Sequence, residues 1–174
     1  MLPQQSQKPE QPRRILYPNS YYHIFNRGNH KKLIFHSSHD YEVFLSLLEK
    51  YLTIYDSIDL QAYCLMPNHF HFLIKTDSKP EDLIKLMQRF MTSYVIFFNK
   101  KYKQVGHLFQ GRYSSKYLQY KYDVQRVYNY IKRNPLEAGL SRRPEDYRWI
   151  WLGELPFYTF DKKKIDEDKE VSKF

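Results

Sequence analysis

Residues 58–75 read IDLQAYCLMPNHFHFLIK. Two runs rich in apolar and aromatic residues, 58–65 and 69–75, flank Met66-Pro67-Asn68. Pro and Asn are turn formers, so the stretch predicts a β-hairpin. In its second arm, residues i and i+2 share a face, which puts the imidazoles of His69 and His71 together and turns Phe70 to the opposite layer.

Outward from the hairpin the pattern alternates. Upstream, 21–26 (YYHIFN) is β-rich and ends at the turn signal Arg27-Gly28-Asn29. From Asp40, Phe44, Leu48, Tyr51, Leu52 and Tyr55 recur at helical spacing. Downstream, Pro80-Glu81-Asp82 opens a long helix, with proline and acidic residues in the first turn where they are favoured. Its apolar stripe is Leu83, Leu86, Met87, Phe90, Met91, Tyr94 and Phe98. Residues 107–120 are strand-like with an interruption at Gly111-Arg112, and 123–133 form a last helix stopped by Asn134-Pro135. The order β-α-β-β-α-β-α predicts an α+β fold: a ferredoxin-like split β-α-β antiparallel sheet with two helices on one face and an added C-terminal helix. Residues 1–14 read as a flexible N-terminal arm, 15–155 as one domain, and 156–174 as a charged C-terminal tail.

Composition narrows the partner. The chain has 174 residues, one cysteine and a formal charge of +9, with a sequence pI near 9.4. No apolar run approaches the ~18 residues a membrane span needs, and the first residues lack the apolar core of a secretory signal. The expectation is a soluble, cytoplasmic protein. A lone Cys64 excludes an internal disulfide and any zinc site built on several thiolates; it reads as a buried small hydrophobe. Aromatics make up 18%, including 17 tyrosines. Basic charge meets phosphates and aromatic faces stack on unpaired bases, so nucleic acid is the leading partner, single-stranded before duplex. The plainer alternative is that the tyrosines are half-buried sheet residues and the charge aids solubility.

Two imidazoles on one strand face are half of a metal site. The last helix offers further ligands: Tyr130 and Asn134 are i and i+4, together on one flank of the stripe Val124, Val127, Tyr128 and Ile131. On spacing alone, Tyr130 reads first as a shoulder residue of the core and Asn134 as the helix stop before Pro135.

The motifs taken together resemble the single-tyrosine HUH transposases of the insertion-sequence-200-like (IS200/IS605) family, U being a hydrophobic residue. The resemblance rests on His69-Phe70-His71 and on Tyr130-Ile131-Lys132-Arg133-Asn134-Pro135. Four segments extend it to the REP-associated tyrosine transposase branch: Phe25-Asn26-Arg27-Gly28-Asn29, Cys64-Leu65-Met66-Pro67-Asn68-His69, Phe109-Gln110-Gly111-Arg112-Tyr113 and Asn134-Pro135 through Ala138-Gly139-Leu140. Tyr147-Arg148-Trp149-Ile150-Trp151 departs from relatives, which often carry small hydroxyl residues after the first Trp, and many relatives have Gln at the position of Asn134. The resemblance implies a ferredoxin-like fold, a divalent metal (Mg²⁺ or Mn²⁺) held by His69, His71 and Asn134, and Tyr130 as nucleophile toward single-stranded DNA, with hairpin or palindromic targets. It leaves both monomers and homodimers open, and implies no membrane partner. A phenol is protonated in neutral water and must shed its proton as it attacks. Arg27 and Lys31, with neighbours His30 and Lys32, then Arg112, Tyr113 and Lys116, then Lys132 and Arg133, are the candidate DNA contacts. For each basic cluster a solvated surface is the competing reading. Two rival functions stay open at this point: a non-catalytic nucleic-acid-binding module, and a metal-dependent hydrolase using activated water. No RNP1-like string supports the first. His107 reads as structural, and Trp149 and Trp151 as caps on the core.

Overall fold

The computed structural model describes residues 15–155; the arm and the tail lie outside the described residues. The hairpin forms where its sequence places it: strand β2 (Ile58–Met66) and strand β3 (His69–Thr76) turn at Pro67-Asn68 and pair antiparallel, Met66 opposite His69 and Cys64 opposite His71. Strand β1 (Tyr21–Arg27) flanks β3 on its other side, with Phe25 opposite His71 and Arg27 opposite His69. Strand β4 (Ser114–Leu118) pairs with β1. The sheet order β4-β1-β3-β2, all antiparallel, is the ferredoxin-like arrangement.

Helices α1 (Ser38–Ile54) and α2 (Asp82–Tyr102) cover one sheet face. Their stripes meet Tyr22, Ile24, Phe70, Phe72 and Ile74 in a dry aromatic core, where Phe44 packs edge-on to Phe90 and Tyr94. Asp40 joins the two helices. Its carboxylate accepts from the backbone N–H of His36 and Ser37 at the start of α1, and from Lys101 and Tyr102 at the end of α2. Burial alone would raise its pKa; these donors outweigh burial and hold it below the usual carboxylate range. Helix α3 (Lys121–Glu137) crosses the opposite face, burying Val124, Tyr128 and Ile131 against Ala62, Cys64, Met66 and Leu73.

The structure corrects the sequence reading at several points. A fifth strand, β5 (Ile150–Leu152), adds to the β2 edge of the sheet; its three residues are too few to show a period. Of residues 107–120, only 114–118 are strand. Leu108 and Phe109 are apolar because they are buried in a loop, which bridges Gly28 just past β1 and donates Gln110 N–H to Arg27 O. Helix α3 does not stop at Asn134-Pro135: it runs to Glu137, because a proline in the last turn forfeits only one N–H. That end is closed by Gly139 N–H on Leu136 O and Leu140 N–H on Pro135 O, with Gly139 in the left-handed region at φ 68°. His107 is exposed rather than structural. Trp149 does pack on the core, stacking on Tyr41 at 4.4 Å, whereas Trp151 lies 45% exposed on the β5 edge. Among the described residues, no helix is long and apolar enough to cross a membrane.

Candidate active site

Strand alternation decides which side chains face α3. From β3 these are His69 and His71; from β1, His23 and Phe25. A pocket of about 650 Å³ opens there, and Tyr130 of α3 closes one side of it.

Four of the residues singled out from sequence meet in two pairs at hydrogen-bonding range. Tyr130 Oη lies 3.5 Å from His71 Nε2, and His69 Nε2 lies 3.4 Å from Asn134 Oδ1. Asn134 is buried, and its Nδ2 donates to Tyr130 O at 3.2 Å, which leaves Oδ1 turned toward His69. The helix period that stacks residues 130 and 134 therefore delivers both polar groups to the imidazole pair.

The loops around β3 set the orientation of His69. Gly28 N–H donates to Asn68 O, and Ile34 and Phe35 N–H donate to Pro67 O. A Cβ on Gly28 would sit 2.0 Å from Lys32 O, so only glycine allows this close approach. Asn68 Nδ2 donates to Lys31 O, and Asn68 Oδ1 lies 2.6 Å from His69 Nδ1. An amide oxygen can only accept, so the neutral His69 carries its proton on Nδ1 and presents a lone pair at Nε2. That lone pair faces the Asn134 oxygen, itself an acceptor. Two acceptors aimed at one another across 3.4 Å repel unless a cation lies between them. The separation is near the ~3 Å ligand–ligand edge of an octahedron with bonds of ~2.1 Å. Two imidazole nitrogens and an amide oxygen thus suit a divalent ion. Among the described residues no group of three or more His, Cys, Asp or Glu side chains is placed to hold a metal ion; the third candidate donor beside the two imidazoles is an amide, and all three are uncharged.

Burial keeps the imidazoles neutral. It lowers the pKa of His69 against the opposing pull of the Asn134 oxygen, with Arg27 adding to the lowering, and holds His71 well below the ordinary histidine value, with His23 and His69 beside it. His23 is pushed down to about 4 by burial and by Lys116.

Of the basic residues read as DNA contacts, Arg27, Arg112 and Lys116 line the pocket. Lys31 is exposed on the turn that holds Asn68. Lys132 and Arg133 are half-buried on α3 outside the pocket lining, and Arg133 pairs with Glu137 at 3.4 Å. Tyr113 is corrected: its ring is buried in the aromatic core beneath the loop and offers no stacking surface. Three residues were missed. Arg126 lines the pocket one helical turn before Tyr130, a signal the i, i+4, i+8 series 126, 130, 134 carried. Asn68 sat unused within the histidine motif. His23 became visible only through the β1–β3 register.

The family model described as "Transposase IS200 like" matches residues 17–134. The chain belongs to the IS200-like transposase family. By that membership it is a DNA transposase and an enzyme. Among solved structures, a REP-associated tyrosine transposase bound to a REP hairpin shares this transposase's fold, with a TM-score of 0.62 at 13% identity, covering 86% of this chain and 95% of that one. A putative transposase from Deinococcus radiodurans R1 aligns with a TM-score of 0.44 at 16% identity, over 71% of this chain and 96% of that one. A search of curated proteins returned no match. In this IS200-like transposase the Tyr147–Trp151 segment that departs from relatives has a structural part: Tyr147 Oη donates to Leu65 O at 2.7 Å, and Arg148 lies over the Trp149 ring.

Proposed function

We propose that this transposase cleaves and rejoins single-stranded DNA through Tyr130, at hairpin-associated sites of the REP type, as an endonuclease–ligase. The observation that carries the reading is that Tyr130, His71 and His69 line one pocket, with Tyr130 Oη 3.5 Å from His71 Nε2 and Asn134 Oδ1 3.4 Å from His69 Nε2. A divalent ion, Mg²⁺ or Mn²⁺, held by His69, His71 and Asn134 would polarise the scissile phosphate. Arg27, Arg112, Lys116 and Arg126 surround the same pocket and neutralise the approaching backbone. Tyr130 Oη attacks phosphorus; its proton passes to solvent as the oxygen–phosphorus bond forms, the bond to the 3′ oxygen breaks, and that oxygen takes a proton from solvent. The products are a 5′-phosphotyrosine and a free 3′-hydroxyl. The ester linkage is conserved, so a 3′-hydroxyl from another strand reverses the attack and joins DNA without a nucleotide cofactor. The branch motifs, together with the fold shared with the REP-associated enzyme, support a hairpin as the recognised element.

The test is a labelled single-stranded oligonucleotide carrying a hairpin, incubated with Mn²⁺ and run under denaturing conditions. A covalent adduct is expected with the intact chain and none with Tyr130→Phe, which still shifts DNA in a native gel. Free fragments without adduct would indicate water as nucleophile. A native shift alone would indicate a binding module.

A further inference from the structure

The two histidines of the site are held in different ways. His69 leans on the Asn68 amide oxygen, which can only accept. His71 leans on another imidazole: His23 Nε2 lies 3.0 Å from His71 Nδ1. An imidazole nitrogen can accept or donate, so this contact admits two proton arrangements with opposite consequences. If His71 Nδ1–H donates to His23, the His71 lone pair sits on Nε2, toward the pocket and Tyr130. If His23 Nε2–H donates to His71, the proton of neutral His71 sits on Nε2 and blocks that nitrogen as a ligand.

We propose that His23 is a positioning residue that accepts the Nδ1–H of His71 and thereby keeps His71 Nε2 open toward the site. The inference rests on the metal-site reading above. Two observations select this arrangement. The hydroxyl of Tyr130 lies on the Nε2 side of His71 at 3.5 Å, and a phenol is a better donor than acceptor, so it favours a lone pair there. The His23 ring is also buried and wedged between Phe25, 4.8 Å away, and Tyr130, 6.0 Å away and edge-on, so it can serve as a fixed acceptor. His23 then does for His71 what Asn68 does for His69. Partners that take the second ring N–H of a ligating histidine typically contribute ten- to a hundred-fold in metal affinity.

The experiment uses the full chain without DNA. Mn²⁺ is titrated into intact protein, His69→Ala, His23→Leu and His23→Gln, and free ion is read by its paramagnetic resonance signal. Long-range ¹H–¹⁵N spectra of metal-free protein report which nitrogen of His71 carries its proton, and amide spectra report the fold. His23→Leu should keep the fold and weaken Mn²⁺ binding about ten- to a hundred-fold. His23→Gln, whose Oε1 reaches the place of Nε2 and accepts, should restore binding to within a few-fold. In the intact metal-free chain His71 should be protonated on Nδ1, and His23→Leu should lose that preference. A folded His23→Leu that binds like the intact chain, while His69→Ala does not bind, would overturn the role of His23 and leave the site reading standing. His71 protonated on Nε2 in the intact chain would overturn it as well. If intact chain and His69→Ala bind Mn²⁺ equally weakly, the metal reading fails instead, and the His71 tautomer still decides what His23 does.

Discussion

The two faces of strand β3 are made from adjacent residues and do opposite work. Phe70 and Phe72 point into the apolar and aromatic core beneath α1 and α2. His69 and His71, one residue away on each side, point to α3, where the packing is interrupted by a pocket with basic walls. The aromatic face holds the sheet rigid; the other face uses that rigidity to hold His69 Nε2 3.4 Å from Asn134 Oδ1 and His71 Nε2 3.5 Å from Tyr130 Oη. A site on strands and a helix is held more tightly than one on loops, and here even the basic rim is mostly on elements: Arg27 on β1, Lys116 on β4 and Arg126 on α3, with Arg112 alone on a loop.

If stability resides on the aromatic face, breaking it should cost most. Phe70→Ala removes a fully buried ring and should destabilise the chain by about 3–5 kcal/mol in urea unfolding. The chemical face should carry a smaller, pH-dependent liability. His23 titrates near 4 in the folded chain, against an ordinary 6.5 when unfolded. The unfolded chain therefore binds the extra proton first as pH drops. The stabilising contribution is fully present above pH 6.5 and is lost as pH falls toward 4, by about 3 kcal/mol from this residue. His23→Gln should flatten that part of the stability profile measured by denaturant titration at several pH values. Asp40→Asn, which loosens the α1–α2 junction without touching the pocket, should cost about 2–3 kcal/mol and leave Mn²⁺ affinity unchanged. At the small end, Tyr130→Phe should move stability by no more than ~0.5 kcal/mol, because its hydroxyl makes one long contact, yet abolish the DNA adduct. A large loss of stability in Tyr130→Phe would mean that the phenol is structural after all.

What was legible in sequence follows the same division. The hairpin, the stripes of α1 and α2 and the shared face of His69 and His71 are local patterns, and the structure has them. Tyr130 and Asn134 were placed together by helical period, but nothing local said that their flank of α3 would overlie the histidines; the family resemblance supplied that. Longer-range features were out of reach. β5 exists because three residues find a free edge of β2, not because of their own pattern. His23 meets His71 across 48 residues of chain through the β1–β3 register. Leu108, Phe109 and Tyr113 mimic a strand because a buried loop needs the same apolar residues. Pro135 looked like a stop signal and proved tolerable in a last turn.

In the reaction proposed above, two imidazoles and an amide would share one cation beside the phenol. Electron spin-echo spectroscopy of Mn²⁺ added to the full chain tests it most directly, since it counts nitrogens bonded to the ion. Two coupled imidazole nitrogens are expected, falling to one in His69→Ala and in His71→Ala. Mn²⁺ showing no nitrogen coupling, or the same coupling in both variants, would contradict it.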